Sequence, residues 1–222
     1  MSNSLRKQLL AEGTGSMLLA TTVIGSGIMA ERLAAGNTAI ALLANTMATV
    51  AVLATLIALL GPVSGAHFNP VVSFSLAMRK SLSWTGAMTY AVVQIIGCCA
   101  GALLAHAMFA LQLLQASVHV RTGLSQWIAE IVATGGLLLV ILGHRRQQDA
   151  AWMVAAWIGG AYWFTSSTSF ANPAITIARS LTNTFSGIRL ADVPSFIVAQ
   201  LIGALIALWL AKCLFEEPRP SQ

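Results

Sequence analysis

Charged side chains are scarce in this chain. Asp, Glu, Lys and Arg make up 9% of its 222 residues, against ~25% in an average soluble domain. Hydrophobic residues make up 57%, and the mean hydropathy is +0.78. That balance excludes a water-soluble globular domain and implies an integral membrane protein. The net charge of +5 is no nucleic-acid footprint, because the basic residues form no dense patch and sit between apolar spans. Cysteine is nearly absent: the three are Cys98, Cys99 and Cys213. Neighbouring cysteines in a helix cannot make an ordinary disulfide, so reduced thiols are expected and a disulfide scaffold is excluded. Packing is their expected role; a soft metalloid bound by the Cys98 and Cys99 sulfurs is the remoter one. The spans hold no convincing His/Asp/Glu metal set, no serine with a base partner and no cofactor motif, so neither an enzyme nor a bound cofactor is expected.

What the chain has instead is apolar length. Six runs near the ~20 residues that cross a bilayer lie at about 9–29, 38–60, 84–109, 124–143, 151–169 and 193–214. The first does not read as a cleaved signal peptide, since Glu12 and Gly13 interrupt its start and no clear cleavage site follows. Arg6, Lys7, Arg79, Lys80, Arg145, Arg146, Lys212 and Arg219 fall at one set of span ends, and Arg32, Arg121, Arg179 and Arg189 at the other. The richer set is expected to be cytoplasmic, which places both termini there in a multi-pass cell-membrane protein. The tail after Leu214 is expected to be mobile.

A tripeptide, Asn-Pro-small, occurs once in each half. The copies are Asn69-Pro70-Val71, inside SGAHFNPVVS, and Asn172-Pro173-Ala174, inside SFANPAITIARS. Asn is a favoured helix N-cap and Pro is favoured at the first helical position. Each copy follows a long apolar run and opens a short helix-compatible one. Two helix starts at membrane depth turn their positive ends toward each other, an arrangement suited to neutral solutes and hostile to cations. Other residues repeat in the same order: Glu12 with Glu130, and Gln94 with Gln200. Three spans and a half-helix per half predict an inverted repeat. The halves are about 1–110 and 120–215 of one domain covering 1–222. Gly97, Gly101 and Gly203, with the pairs Gly135-Gly136 and Gly159-Gly160, are expected at helix contacts, where small residues let backbones approach in lipid.

These motifs resemble the aquaporin and aquaglyceroporin superfamily over almost the whole length. SGAHFNP resembles that family's first pore loop and ANPA its second, and AITIARSLTNTF is similar to a bacterial branch associated with arsenic resistance. The resemblance implies an all-α membrane protein with six transmembrane helices and two half-helices, assembled as a homotetramer with one pore per subunit. Asn69 and Asn172 are then expected to cap the half-helices and turn amide N–H groups into the pore, with Pro70, Val71, Pro173 and Ala174 completing the motifs. Val71 replaces a customary Ala; its extra methyls either shift the Asn69 amide or are absorbed by repacking. Glu12, Glu130, Gln94, Gln200 and His67 are expected to support the pore loops. A proton relay through the two acids, or a pH gate at His67, is the weaker alternative.

The family's outer constriction uses four positions, which spacing from the two Asn residues carries onto Thr49, Gly160, Ser169 and Ile175. Ile175 departs from the Arg found in most relatives. Thr49 is small and Gly160 has no side chain, so the expected filter is wide, weakly polar and uncharged. Arg179, four residues on, has two readings of equal standing: a guard at the outer mouth, or a residue satisfying loop carbonyls. The function implied is passive permeation of small uncharged solutes: arsenous acid and methylated arsenicals as neutral hydroxides, with glycerol and water. A water-selective pore or a general glycerol facilitator is the alternative, and a proton-coupled transporter the remote one.

Overall fold

The computed structural model describes residues 3–143 and 147–215. Arg145, Arg146 and Arg219 of the expected cytoplasmic set, and all but the start of the tail after Leu214, lie outside them. Six long helices form: α1 (Asn3–Leu33), α2 (Thr38–Ser64), α4 (Trp84–Met108), α5 (Leu124–Gly143), α6 (Gln147–Phe164) and α8 (Val193–Phe215). Two short ones, α3 (Pro70–Met78) and α7 (Pro173–Arg179), follow α2 and α6. A 3-10 turn at Leu190–Asp192 leads into α8. The described residues contain no strand. The six expected runs thus correspond to α1, α2, α4, α5, α6 and α8. The fifth ends earlier than expected, at Phe164, because the chain unwinds into the loop that delivers Asn172.

Five of the long helices are long and apolar enough to cross a bilayer. The sixth, α6, carries Asp149 in its first turn and is less apolar. Caps set several boundaries. The Asn37 side chain accepts from the Ala39 and Ile40 amides to open α2, and Ser83 accepts from Gly86 to open α4. Gly65 closes α2 at φ +91°, a left-handed conformation that suits glycine.

Helix α1 packs on α4 and α2, α5 on α8 and α6, and α2 on α6. In lipid no hydrophobic drive pushes helices together, so close backbone approach carries the packing. A Cβ at Gly97 would meet the Gly13 carbonyl of α1, and one at Gly101 the Met17 carbonyl. A Cβ at Gly203 of α8 would meet the Ile131 carbonyl of α5. Gly135 faces that same contact, Gly136 makes room for the Trp157 ring, and Gly159 for Val50. Gly160 is different: a Cβ there would meet only its own helix's Phe164. Cys98 is buried in the α1–α4 contact with its Sγ on the Ser16 carbonyl, and all three cysteines are unbridged.

Gly101→Val and Gly203→Val should each force two helices apart and lower stability by about 1–3 kcal/mol or more. Gly61→Ala, in open space, should not. Thermal unfolding of the detergent-solubilised protein separates the cases; equal melting for all three variants would contradict the packing role.

Candidate functional site

The two loops entering the fold before α3 and α7 share one backbone solution. Ala66 and Phe68 precede Asn69 with φ near +49° and +48°, and Ser169 and Ala171 precede Asn172 at +52° and +47°. Left-handed backbone costs a non-glycine residue roughly 1–2 kcal/mol, so something must hold it. Two buried carboxylates do. Glu12 Oε1 accepts from the His67 N–H at 3.0 Å and Oε2 from the Phe68 N–H at 2.8 Å. Glu130 Oε1 accepts from Phe170 N–H and Oε2 from Ala171 N–H, both at 2.9 Å. Ser64 Oγ and Gln94 Nε2 also donate to Glu12, and Gln200 Nε2 donates to Glu130. Gln94 reaches on to Ser73 of α3, and Gln200 to Thr176 of α7.

Neutral donors thus satisfy both acids without a basic partner. Both side chains are fully buried, and neither lines the central cavity. A carboxylate sealed from the solute path has no route for proton exchange with it, which argues against a relay.

Each Asn is shared between its helix and the opposite loop. Asn69 Oδ1 accepts from the Val71 N–H, and Asn172 Oδ1 from the Ala174 and Ile175 N–H groups, so both residues cap. Asn69 Nδ2 donates to the Ala171 carbonyl and Asn172 Nδ2 to the Phe68 carbonyl, each at 2.8 Å. A carboxamide has two N–H donors. One is committed across the pore, and the other remains for a solute in the cavity both residues line. Val71 points elsewhere: it is buried in a cluster with Val72, Leu138, Ala204 and Ala207. Its methyls are absorbed by α5 and α8, away from the solute path. Pro70, Pro173 and Ala174 are buried behind the caps.

The central cavity holds about 850 Å³. His67 lines it near one end, with Nδ1 3.0 Å from Ser73 Oγ and its ring edge-to-face on Tyr90. At the other end lie Thr49, Ser169, Ile175 and Arg179. The Ser169 hydroxyl is buried and has no hydrogen-bond partner among the described residues.

Gly160 does not belong to this ring. It is exposed and absent from the lining, whereas Val154, Ile158 and Tyr162 of α6 all face the cavity. Those three repeat every four residues, one helical face, and a position two residues from Ile158 and Tyr162 points away. Counting back from Asn172 lands on the wrong face of α6. The α6 contribution is Tyr162, whose hydroxyl lies 3.5 Å from Thr49 Oγ1. An aromatic side chain that spacing did not point to therefore lines the cavity beside Thr49. The helical stripe Val154–Ile158–Tyr162 was the signal that could have found it.

Arg179 is buried, yet lines the cavity. Its Nε donates to the Ser186 carbonyl and its guanidinium carbon lies 3.4 Å from the Phe170 ring centre. It satisfies a loop carbonyl and faces the solute path as well. Spacing gave no hint of Arg121, on the α4–α5 connection, which comes to the same ring at 5.1 Å. That connection is stitched to the segment after α7 by Gln115 to Leu181, Ser117 to Ser180 and Arg189 to His119 backbone bonds. Asp192 accepts from the Arg121 N–H at 2.9 Å and from Arg189 at 2.8 Å. Burial alone would raise the Asp192 pKa, but these hydrogen bonds hold it below the usual value. The clamp is lost only as pH falls through that depressed value, so it stays ionised near neutrality.

Glu130→Ala should orphan two buried amides, at about 1–3 kcal/mol each, and release the Ser169 and Ala171 backbone. Melting temperature and solute flux should both fall, and intact flux in this variant would refute the carboxylate's role in holding the loop.

The major intrinsic protein family model matches residues 1–170. The chain is 50% identical over 218 residues to the aquaglyceroporin AqpS of Rhizobium meliloti (strain 1021), covering 97% of this chain and 93% of that one. It is 27% identical to a probable aquaporin, AqpM, of Archaeoglobus fulgidus, covering 98% and 100%. Its fold is similar to the X-ray structure of the aquaglyceroporin from Plasmodium falciparum, with a TM-score of 0.69 over 95% of this chain and 96% of that one, at 18% identity. With its buried acids, crossed asparagines and continuous cavity, the chain belongs to the major intrinsic protein family, whose members are membrane channels for small solutes and not enzymes.

Proposed function

We propose that this chain is a passive channel for neutral hydroxylated solutes larger than water. Arsenous acid and methylated arsenicals in their uncharged forms are the substrates that fit best, with glycerol and water also passing. The observation that carries this reading is the chemistry of the ring at the Arg179 end. Thr49 and Tyr162 offer hydroxyls, while Ile175 offers hydrocarbon. A small polyhydroxylated molecule gives up water on entry; hydroxyls replace those hydrogen bonds, and Ile175 covers the rest of its surface. As(OH)3, neutral at pH 7 and shaped like a small polyol, meets the same donors and acceptors as glycerol. The family resemblance supports the arsenical reading, and the 50% identity to an aquaglyceroporin supports glycerol.

Tyr162 favours a second reading. Its ring takes space that a glycine would have left open, so a narrower pore selecting water, or a plain glycerol facilitator, is the competing account. The remaining features of the proposal are one channel domain over 1–222, with inverted halves of about 1–110 and 120–215. Both termini would be cytoplasmic in the cell membrane, and four subunits would assemble, each with its own pore.

Stopped-flow light scattering on proteoliposomes tests the substrate. Glycerol and arsenous acid should both enter faster than into empty liposomes. Water flux without either solute would favour the narrow reading. Ile175→Arg should cut arsenous acid flux by roughly tenfold, about 1.4 kcal/mol on the barrier, by filling and charging the ring. Tyr162→Ala should raise the flux of the larger solute relative to water. If neither substitution changes the ratio of solute to water, these residues do not form the constriction.

A further inference from the structure

A second, smaller cavity of about 350 Å³ lies beside the central one at the Arg179 end. Among the described residues, Arg121 and Arg179 are the only charged side chains on its walls. Both keep donors free. Arg179 is 4% exposed; its Nε donates to the Ser186 carbonyl, and neither terminal nitrogen has a partner among the described residues. Phe170 covers the face of that guanidinium and leaves open the edge that carries the unused N–H groups. Arg121 donates through Nε to Gly187 and through Nη1 to Ser167, and its Nη2 is unmatched in the same sense. An acceptor belongs to the same wall. Asn45 is 3% exposed and commits both amide N–H groups, to the Val23 carbonyl and the Ser26 hydroxyl. Its Oδ1 has no partner among the described residues. Leu42, Trp163 and Phe185 add an apolar surface to this cavity.

We infer that this side cavity binds a small organic monocarboxylate bearing a hydroxyl and a hydrocarbon body, and that its occupancy slows the channel. Charge sets the anion. Glu130 acts electrostatically on both guanidiniums and offsets part of their charge. Asp192 is already paired with Arg189, and Glu31, which accepts from the Phe185 N–H, is followed by Arg32. One further negative charge balances the pair of arginines, and a dianion exceeds what they need. A carboxylate matches the open guanidinium edge, because its two oxygens accept two parallel N–H groups. A hydroxyl on the same molecule donates to Asn45 Oδ1, and its hydrocarbon lies against Leu42, Trp163 and Phe185. A largely apolar cavity of this volume with a few convergent polar groups suits a small organic molecule better than a bare ion. Arg179 is the one residue that lines both cavities. A ligand drawn to its guanidinium from the side therefore changes the wall that a neutral solute passes in the centre. The inference holds whichever neutral solute the channel carries.

Isothermal titration calorimetry on the full-length protein in detergent tests the site with mandelate, which carries a carboxylate, an adjacent hydroxyl and a phenyl ring. Mandelate should bind saturably. Mandelamide, its neutral counterpart, and inorganic phosphate should each bind roughly tenfold more weakly or worse. Arg121→Gln and Trp163→Ala should each weaken mandelate by roughly tenfold. Trp163 is exposed, so Trp163→Ala carries the test should Arg121→Gln fail to fold. In proteoliposomes, saturating mandelate should slow glycerol entry, and mandelamide at the same concentration should not. Mandelamide as tight as mandelate would overturn the ionic site, and phosphate as tight as mandelate would overturn the organic ligand class. Unchanged mandelate affinity in the variants that fold would place binding elsewhere and overturn the proposal. Bound mandelate that leaves glycerol entry unchanged would overturn the coupling through Arg179.

Discussion

The structure depends on two buried acidic side chains whose oxygens are satisfied by neutral donors inside a membrane protein. Glu12 and Glu130 each present two oxygens to consecutive backbone amides of a loop that has no helical or sheet partners of its own. Backbone polar groups at membrane depth must find partners within the protein, because lipid supplies none. The carboxylates are those partners, and in exchange the loops adopt left-handed conformations at Ala66, Phe68, Ser169 and Ala171. Those turns bring the Phe68 and Ala171 carbonyls to the asparagines that cross between loops. Without the acids, the loops, the crossed asparagines and the ring at Ser169 and Ile175 would lose their common support.

The same economy of charge runs through the rest of the molecule. Glycines replace side chains where α1 meets α4 and α5 meets α8, so the acids on α1 and α5 sit close enough to be reached by Gln94 and Gln200 of the facing helices. Among the described residues, Arg179 brings positive charge to the wall of the central cavity. There Phe170 joins the two arrangements: its N–H is held by Glu130, and its ring faces two guanidiniums. One residue thus couples the support of the second loop to the electrostatics of the entrance.

Much of this was legible in the residues, and the failures are instructive. The Asn-Pro pairs announced two helix starts because capping chemistry is local: an Asn side chain reaches the next two or three amides wherever the chain runs. The paired Glu and Gln residues stood out because polar groups are rare in such apolar runs. Gly160 was misplaced because a count along the sequence carries no phase. A loop between Phe164 and Asn172 whose backbone turns left-handed at three positions breaks the register between motif and helix face. Val71 was legible as a departure from the usual Ala but not in its consequence, since only the fold shows Leu138, Ala204 and Ala207 waiting to receive its methyls.

By itself, the sequence determined the membrane setting, the six long helices, the two half-helices and their caps, because hydropathy, length and N-capping act over a few neighbouring residues. The tertiary structure alone decided which side chains meet the solute. Tyr162 replaces Gly160 at the ring because helix rotation is set by packing of α6 on α2 and α5. Arg121 reaches the Phe170 ring, beside the solute path, because a loop more than fifty residues away in sequence is hydrogen-bonded over the end of α7. Contacts of that range depend on how whole elements dock, and no local pattern of residues encodes them.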